Sequence, residues 1–367
     1  MNPLVTLGQL GQSPWYDYIT RELLVSGRLG KLIAEDGLRG MTSNPTIFEK
    51  AISGSEDYDD DIRRLLGSDQ QAADIFDALA IADVQAACDS FRPTYDRLGG
   101  HDGLVSIEVN PELAGNTESS IAEAARLWKA VSRPNLMVKI PGTAAGIPAI
   151  EESLAAGINI NITLLFSVDR YQEVIEAFLR GLERRHAEGL PIDRLASVAS
   201  FFVSRVDAKV DPLLDQRGDP AGLRGSIAIA NAATAYAAFQ RSLDTPRWKT
   251  LAAAGARPQR PLWASTSTKD PRYSDTHYIE PLVAPHTVTT LPPETLDAYR
   301  DHGRPEIRIA DTVAQAPARL GALAEQGIEL AEITRSLENE GVAKFSESYR
   351  KLLKGIEDKA AALVAGR

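Results

Sequence analysis

The sequence contains few of the residues and motifs that support metal, redox or nucleotide chemistry. Cys88 is the only cysteine in 367 residues, so no intramolecular disulfide can form and a structural zinc site is not expected. Neither a G-x-G-x-x-G pattern nor a Walker A pattern occurs. The histidines lack the close spacing of metal ligands; they are His101, His186, His277, His286 and His302. We therefore predict no metal and no nucleotide cofactor.

An excess of positive charge and long apolar runs are also missing. The formal net charge is -10, with no basic stripe that could neutralise the phosphates of a nucleic acid or an anionic membrane. No apolar run is long enough to cross a bilayer, and the N-terminal MNPLVTLGQLGQSPW lacks a basic region followed by an apolar core. We predict a cytoplasmic protein without nucleic-acid or membrane partners. A small anionic substrate stays possible if a few cations are placed locally.

The sequence does contain short apolar or mixed segments that alternate with helical segments. Hydrophobic residues make up 44% of the chain, which is enough to bury a large core. Eight segments read as strands: SPWYDY, LRGMTSN, LVSIEVN, LMVKIPG, INITLLF, ASFFVS, PLWASTS and HTVTTLP. Eight successive β-then-α units predict an α/β fold, a closed (β/α)8 TIM barrel. Such barrels commonly reach about 400 residues, so we predict one domain over 1–367.

Helical patterns occupy most of the connections between these strands. We predict single helices over 20–37, 117–132 and 168–189, and helical insertions at about 45–100 and 205–255. After the last strand, apolar residues recur at helical spacing and predict a C-terminal amphipathic helix that packs against the barrel wall. These residues are Val342, Phe345, Tyr349, Leu352, Leu353 and Ile356.

A lysine interrupts one of the apolar strands. Positions 135–143 read NLMVKIPGT, and an amine at Lys139 must reach the rim of the strand or lose hydration. One interpretation is a side chain that snorkels to the strand end. The other is a desolvated amine that attacks carbonyl groups and forms a Schiff base, because burial disfavours the ammonium form. A pyridoxal phosphate enzyme would also use such a lysine, although no glycine-rich phosphate loop lies beside Lys139.

Polar residues occur within two further strands. Glu108, inside VSIEVN, is costly unless its carboxylate points into a hydrated interior or closes the barrel end in an ion pair. In NINITLLF, Asn159, Asn161 and Thr163 are two residues apart, so they share one face of the strand. Three neutral hydrogen-bonding groups on an inward face suit a polyhydroxylated ligand.

The ends of other strands carry polar side chains as well. Active sites of such barrels lie at the C-terminal ends of the strands. Strand two ends in Thr42, Ser43 and Asn44, and strand six offers Ser200 and Ser204, followed by Arg205. Either set could equally be turn residues or helix caps. Asp17 follows Trp15 and Tyr16 near the N-terminus, and local sequence alone does not interpret it.

Five motifs, in order, cover nearly the whole chain: GMTSNPTIFEKAI (40–52), SIEVNPELA (106–114), NLMVKIPGT (135–143), GININITLLF (157–166) and SFFVSRVD (200–207). Together with KFSESYRKLL (344–353) they resemble the transaldolases, class I aldolase barrels of the pentose phosphate pathway. The N-terminal WYDYITRELLVSGRLGKLIAEDGLRG is similar to the long bacterial form of that family.

The resemblance implies a reaction and three catalytic roles. Lys139 would attack C2 of a ketose phosphate, either sedoheptulose 7-phosphate or fructose 6-phosphate, and form the Schiff base. Asp17 would take the proton of the C4 hydroxyl during carbon–carbon cleavage and return it on addition. Glu108, with Thr163 and a bound water, would move protons as the carbinolamine forms and loses water. The retained dihydroxyacetone unit would pass to an aldose phosphate, glyceraldehyde 3-phosphate or erythrose 4-phosphate.

The resemblance also implies binding roles. Asn44, Asn161 and Ser200 would hold the hydroxyls of the dihydroxyacetone unit, with Thr42 in a supporting role. Arg205 would bind the substrate phosphate as a cation at the end of strand six. No cofactor is implied, the partners would be sugar phosphates, and the protein would be a monomer or a homodimer.

One position departs from the family pattern. Many transaldolases place an arginine two residues after the serine of the strand-seven Ala-Ser, but here Ser265 is followed two residues later by Ser267. Lys269 stands two residues further on, and its flexible stem could bring an ammonium to the same phosphate while both serines donate hydrogen bonds. The alternative for Lys269 is a solvated loop lysine.

Two other functions stay open from the sequence. A lyase of the fructose 6-phosphate aldolase type would use the same lysine and nearly the same surrounding residues, and would release free dihydroxyacetone. A catalytically inactive barrel that serves as a binding or scaffold protein is the non-enzymatic alternative.

Overall fold

Eight parallel strands form a closed barrel in which each strand pairs with the next and the last pairs with the first. The computed structural model describes residues 2–66 and 71–365. The strands are β1 (Gln12–Asp17), β2 (Gly40–Thr42), β3 (Leu104–Glu108), β4 (Leu136–Pro141), β5 (Ile160–Leu165), β6 (Ser197–Phe202), β7 (Arg260–Ala264) and β8 (Thr287–Leu291). The predicted (β/α)8 barrel is confirmed, and each strand lies within or overlaps its predicted segment.

Helices surround the barrel. They are α1 (Pro3–Gln9), α2 (Arg21–Val25), α3 (Arg28–Glu35), α4 (Pro45–Ser53), α5 (Asp59–Leu66), α6 (Ala72–Arg97), α7 (Thr117–Val131), α8 (Gly146–Ala155), α9 (Val168–Ala187), α10 (Ser204–Arg217), α11 (Ile227–Leu243), α12 (Pro246–Ala253), α13 (Pro293–His302), α14 (Ile309–Glu325) and α15 (Leu330–Ala365). None of the helices in the described part of the chain combines the length and the apolar character needed to span a membrane.

The single helix predicted over 20–37 is wrong, because two helices occupy this segment. Helix α2 ends before Ser26, and α3 begins after Gly27, whose φ of 79° lies in the left-handed region. That region costs glycine little and other residues more, so Gly27 can turn the chain between the two helices. The apolar periodicity continues across the break and conceals it from a sequence pattern.

Both predicted insertions are helical, and they shape the C-terminal end of the barrel. The first contains α4, α5 and α6, and the second contains α10, α11 and α12. The predicted C-terminal helix is confirmed as α15, with Phe345, Tyr349 and Leu352 buried. Helix α15 packs on α4, α5 and α6, as well as on β5, so it covers insertion helices in addition to the barrel. It thereby reaches the rim at which the strands end.

A buried carboxylate in the second insertion makes stability depend on pH. Asp207 of α10 is 0% exposed and accepts hydrogen bonds from the Ala228 backbone N–H at 2.7 Å and the Tyr278 hydroxyl at 3.1 Å. Burial outweighs these bonds and raises the pKa of Asp207 from 3.8 to about 7. Between these two values the folded protein keeps a proton that the unfolded chain has released. Its contribution to stability is therefore present at low pH and is lost as pH rises through about 7.

We expect Asp207→Asn to remove this pH dependence, because asparagine keeps an acceptor for Ala228 and carries no charge. From pH 5 to pH 8 the unfolding free energy of the variant should rise relative to wild type by about 3 kcal/mol. Denaturant unfolding at the two pH values measures the difference, and Asp193→Asn, at an exposed position, is the control. Parallel pH profiles for wild type and Asp207→Asn would contradict the assignment.

Candidate active site

A cavity of about 650 Å³ opens at the C-terminal ends of the strands. Its position follows from the barrel, because the ends of all eight parallel strands meet on one face. Ten of the predicted site residues line it: Asp17, Thr42, Asn44, Lys139, Thr163, Ser200, Arg205, Ser265, Ser267 and Lys269. The other two, Glu108 and Asn161, lie behind this lining. Tertiary structure thus brings together residues that are up to 252 positions apart in sequence (269 − 17).

Lys139 presents its amine to this cavity from β4. The side chain is 6% exposed, and its ammonium Nζ lies 3.1 Å from a carboxylate oxygen of Glu108 and donates to the Ser43 carbonyl at 3.1 Å. Glu108 of β3 is directly beside Lys139 in the strand register, which places both side chains on the same face of the sheet. The amine therefore has a proton acceptor at contact distance. The snorkelling alternative does not describe an amine that is held in an ion pair inside the barrel end.

Glu108 is almost completely removed from solvent. Its side chain is 3% exposed, and burial raises the pKa of its carboxyl group, although the charge of Lys139 opposes that rise. Apart from this ion pair, neither carboxylate oxygen has a hydrogen-bond partner among the described residues. Glu108 is not among the residues that line the substrate-sized cavity, and it contacts one residue that does, Lys139. A carboxyl group with a raised pKa next to an amine is well suited to exchange protons with it.

Asp17 lines the cavity from β1, three strands away from β4, which carries Lys139. It stands at the end of β1, paired in register with Thr42 of β2, whose hydroxyl donates to the Asp17 carboxylate at 2.7 Å. This hydrogen bond orients the carboxylate towards the cavity that both residues line. Asp17 lines the cavity and Glu108 does not, so the two carboxylates occupy different positions in the site.

The predicted inward face of β5 is confirmed for two of its three residues. Asn161 is fully buried; its amide N–H donates to the Ser106 hydroxyl at 3.0 Å, and its carbonyl accepts from Ser200 at 2.7 Å. Ser200 lines the cavity, so Asn161 holds a cavity residue in place. The hydroxyl of Thr163 is buried at the cavity wall and has no partner in the described part of the chain.

The third residue of that face, Asn159, lies at the other end of the barrel. It precedes β5, and its amide donates to the carbonyls of Pro134 and Leu136 while accepting from the Ala196 backbone. The prediction that Asn159 shares a ligand-facing surface with Asn161 is therefore wrong. Two positions along a strand cover about 6.6 Å. This distance is enough to place Asn159 at the end of the barrel opposite the cavity, while Asn161 lies in the middle of the barrel.

The end of β5 is irregular in a way that a sequence pattern does not reveal. The register with β6 shifts between Ile162 and Leu165, and Leu164 has a φ of 60°. A branched residue in this conformation is uncommon, and bulges of this kind redirect neighbouring side chains near active sites. The bulge follows Thr163 directly, at the point where its hydroxyl reaches the cavity.

Asn44 and Ser43 have different roles at the end of β2. The Asn44 side chain accepts from the Ile47 backbone N–H at 3.0 Å and caps α4, while the residue also lines the cavity. The capping alternative and the binding prediction therefore apply to the same residue. Ser43 donates to the Ser106 carbonyl at 2.8 Å and offers its own carbonyl to Lys139.

Cations gather at one end of the cavity. Arg205, at the start of α10, has its guanidinium 4.9 Å from the centre of the Phe202 ring and makes no ion pair with the described residues. Burial lowers its pKa, and the charges of Asp17 and Glu108 oppose this effect. Lys269 donates to Ser267 at 2.7 Å. Its pKa is lowered, first because its amine is partly desolvated and then because Arg205 and Lys344 lie nearby.

The loop after β7, where the sequence departs from the family pattern, lies at this same cationic end. Ser265 has a φ of 54° and shares a hydrogen bond of 3.0 Å with Ser204, which ties the end of β7 to the start of α10. Ser265, Ser267 and Lys269 all line the cavity, so the loop is part of the site, and Lys269 lies at its wall.

Sequence reasoning missed two further cations. Lys344 of α15 and Lys50 of α4 line the cavity, and both lie close enough to Lys269 to lower its pKa. The helical periodicity of KFSESYRKLL indicates only its buried apolar residues, and Lys344 directly precedes one of them, Phe345. A solvated lysine and a lysine that faces a ligand look alike in a helical pattern, so only the packing of α15 on α4 distinguishes them.

Known proteins resemble this chain over nearly its whole length. A family profile described as Transaldolase/Fructose-6-phosphate aldolase matches residues 14–356. A transaldolase from Acidothermus cellulolyticus is 50% identical over 356 residues, covering 96% of this chain and 95% of that protein. A transaldolase from Parafrankia is 48% identical with 97% of both chains covered, and one from Trichodesmium erythraeum is 42% identical with 98% and 97% covered. The chain therefore belongs to the transaldolase/fructose-6-phosphate aldolase family.

Proposed function

We propose that Lys139 forms the Schiff base of a transaldolase reaction in the cavity described above. The chain is an enzyme of the transaldolase type, since relatives that carry this name match it over almost its whole length. The observation that carries the assignment of the nucleophile is the Lys139 amine, which lines the cavity and contacts the Glu108 carboxylate at 3.1 Å.

The first half of the proposed reaction makes and uses the imine. The free amine of Lys139 attacks C2 of the ketose phosphate, and Glu108 takes the amine proton and returns it to the hydroxyl that leaves as water. Thr163 lines the cavity, its hydroxyl has no hydrogen-bond partner among the described residues, and it orients that water. Asp17 then takes the proton of the C4 hydroxyl, the C3–C4 bond breaks, and its electrons enter the imine to give an enamine. The departing product is an aldose phosphate.

The second half reverses these steps on a new acceptor. The enamine attacks the carbonyl carbon of the acceptor aldose phosphate, and Asp17 returns its proton to the new hydroxyl. Water then hydrolyses the imine and releases the longer ketose phosphate. The enamine must stay bound between the two halves, and the neutral groups of Asn44 and Ser200, with Asn161 behind Ser200, are proposed to hold its hydroxyls.

The opposite ends of the cavity differ in charge, which suits a sugar phosphate. Lys139 shares the cavity wall with Asp17 and with the neutral side chains of Asn44, Thr163 and Ser200, whereas a cluster of four cations supplies positive charge to the cavity: Arg205, Lys269, Lys344 and Lys50. We propose that Arg205 and Lys269 bind the phosphate, with Ser265 and Ser267 donating hydrogen bonds and Lys344 adding charge from α15. The donor would be fructose 6-phosphate or sedoheptulose 7-phosphate, with erythrose 4-phosphate or glyceraldehyde 3-phosphate as acceptor.

Product analysis separates this transfer from lyase activity. With fructose 6-phosphate and erythrose 4-phosphate, the enzyme should form sedoheptulose 7-phosphate and glyceraldehyde 3-phosphate in equal amounts. Without an acceptor, the enzyme should release less than about one molecule of free dihydroxyacetone per active site. Sustained release of dihydroxyacetone in either reaction would favour the lyase instead. The transaldolases named above already favour transfer.

The cationic end predicts a selective effect on phosphorylated substrates. Lys269→Ala should raise the KM for fructose 6-phosphate by roughly tenfold, consistent with a charged hydrogen bond of about 1.5 to 3 kcal/mol. Arg205→Ala should raise it more, because Arg205 is less exposed and can bind phosphate with two parallel hydrogen bonds. Lys344→Ala should raise it only several-fold, since its position is exposed.

The control for Lys344 is Lys351→Ala, about two turns further along α15, where the lysine pairs with Glu347 and does not line the cavity. All three variants should leave rates with unphosphorylated donors nearly unchanged. An unaltered KM for fructose 6-phosphate in Lys269→Ala would assign the second phosphate contact to another group.

Three broader properties are also proposed. The sugar phosphates expected here are cytoplasmic metabolites, so we propose a cytoplasmic location. A monomer or homodimer is proposed for the assembly. The described strands form one barrel and the described helices surround it, which supports the proposal of a single domain over 1–367.

A further inference from the structure

The loop 265–278, which follows β7, is tied to α10 by side-chain hydrogen bonds at its start, middle and end. At the start, the hydroxyls of Ser204 and Ser265 share a hydrogen bond of 3.0 Å. The two cations proposed to bind the phosphate belong to these two segments, since Arg205 lies in the first turn of α10 and Lys269 lies in the loop. The distance between the two cations therefore depends on how the loop is held against the helix.

Two tyrosines connect the middle and the end of the loop to the helix. The Tyr273 hydroxyl donates to the Asp211 carboxylate at 2.6 Å, and the Tyr278 hydroxyl donates to Asp207 at 3.1 Å. Asp207 and Asp211 are four residues apart, so they share one face of α10, and both are buried. Burial, followed by the hydrogen bond to Asp211, raises the pKa of Tyr273, so its hydroxyl stays protonated and donates. Hydrogen bonds of this kind, to a carboxylate, are stronger than those between neutral groups.

The ring of Tyr273 is held by its neighbours as well. It stacks on the His277 ring, with centroids 4.7 Å apart and planes 14° from parallel. Gly225 lies directly against the ring, because a Cβ atom added to this glycine would come within 2.8 Å of it. The Gly225 N–H donates to Asp211 at 3.0 Å, and the Gly225 carbonyl accepts from the His277 ring at 2.7 Å. These contacts hold Tyr273 in the orientation that brings its hydroxyl to Asp211.

Lys269 depends on this loop for its position. Its ammonium donates to Ser267 of the same loop at 2.7 Å and makes no ion pair with the residues that the structure describes. The next residue, Asp270, pairs with Arg224 outside the loop at 2.5 Å. A lysine side chain has several rotatable bonds, so holding its ammonium at a phosphate costs conformational entropy. A backbone that is already fixed leaves less to be ordered when the phosphate binds.

We propose that Tyr273 is a positioning residue for the substrate phosphate. Its hydrogen bond to Asp211 holds the loop 265–278 against α10. Lys269 is thereby kept at a distance from Arg205 that one phosphate group bridges. This inference rests on the phosphate-binding roles proposed above for the two cations. Tyr273 does not line the cavity, so it acts through Lys269 and not by touching the substrate.

Tyr273→Phe removes only the hydroxyl and is the main test. The KM for fructose 6-phosphate should rise about three- to fivefold, less than in Lys269→Ala, because the lysine is still present but is less well ordered. The kcat should change less than about twofold, and kcat/KM for unphosphorylated fructose should stay near the wild-type value. Tyr236→Phe is the matched control, because this hydroxyl donates to the Pro285 carbonyl near the start of β8, whereas the cavity lies at the strand ends. Equal KM values for wild type and Tyr273→Phe would overturn the proposal.

Two further measurements separate positioning from a general loss of stability. Peptides from 266–272 should exchange amide hydrogens several-fold faster in Tyr273→Phe, while the barrel strands exchange as in wild type. Adding Tyr273→Phe to Lys269→Ala should raise the KM no further, because Tyr273 acts through the lysine. A lower unfolding temperature with an unchanged KM would make Tyr273 a structural residue only. Effects that multiply in the double variant would mean that Tyr273 does not act through Lys269.

Binding of inorganic phosphate tests the same point without the reaction. Titration followed by phosphorus NMR should give a Kd about three- to fivefold higher in Tyr273→Phe and about tenfold higher in Lys269→Ala than in wild type. An unchanged Kd in Lys269→Ala would overturn the proposal, since Tyr273 would have no phosphate contact to position. Failure of borohydride to fix an adduct on Lys139, with the phosphate affinities as expected, would instead reject the Schiff-base mechanism and retain the positioning role.

Discussion

Borohydride added together with fructose 6-phosphate is expected to fix a three-carbon adduct on Lys139. The imine carbon accepts hydride, which converts a reversible link into a stable secondary amine. Peptide mass spectrometry then locates the added mass. Lys139 is the expected site because its amine lines the cavity, is 6% exposed and contacts a carboxylate that can accept its proton.

Lys139→Ala should abolish trapping and lower kcat/KM by at least about 10⁴-fold, since the covalent route has no other nucleophile. Lys50→Ala is the matched control, because this lysine lines the same cavity at an exposed position. It should keep the adduct and most of the activity. An adduct on Lys50 or Lys269, or substantial turnover by Lys139→Ala, would reject the mechanism.

The second large effect is a difference between Asp17→Ala and Glu108→Ala. Asp17 lines the cavity and is oriented by Thr42 at 2.7 Å, which suits it to take a proton from the substrate. Its loss should permit imine formation, so donor imine should accumulate and be trapped, while cleavage falls by about 10² to 10⁴-fold. Here the trapped adduct should carry the full six-carbon donor.

Glu108→Ala should instead be slow to form any imine, because Glu108 contacts the amine and has no place on the wall of the substrate cavity. Glu108→Gln keeps the shape and an acceptor for Lys139 without a proton to exchange, so it separates chemistry from positioning. Rapid-quench measurements with borohydride give the rate of trapping and the mass of the adduct. Identical rates and masses in the Asp17 and Glu108 variants would contradict the division of roles.

The effect of Thr42→Val tests the orientation of Asp17. Valine removes the hydrogen bond and keeps the shape of the threonine side chain, so the carboxylate should stay present with less defined geometry. We expect cleavage to slow less than in Asp17→Ala, with trapping of the donor imine intact.

Local patterns were sufficient for the barrel, and together with the family resemblance they indicated the residues that line its cavity. Strands such as LMVKIP are short and buried along their whole length, so each produces an apolar run that ends in proline or glycine. Eight of them in alternation with helices allow few topologies. Polar residues at the strand ends then fall on one face of a parallel barrel, which is why ten predicted residues line a single cavity.

Local patterns were insufficient where a backbone angle or the packing of distant segments decides the result. Gly27 divides one apolar periodicity into two helices through a φ of 79°, and the Leu164 bulge moves the register of β5. Asn159 has the spacing of an inward residue and lies beyond the start of the strand, where it ties three backbone segments together.

The sequence by itself determined the barrel and the candidate nucleophile Lys139, because burial pattern and residue type are local properties that the chain order preserves. Only the tertiary structure decided that Glu108 contacts the Lys139 amine at 3.1 Å without lining the substrate cavity and that Lys344 of α15 does line it. A carboxylate's direction depends on what packs on each side of its strand. The position of Lys344 depends on how α15, nearly the last element of the chain, crosses α4. Both depend on contacts between segments far apart in sequence, which no local pattern encodes.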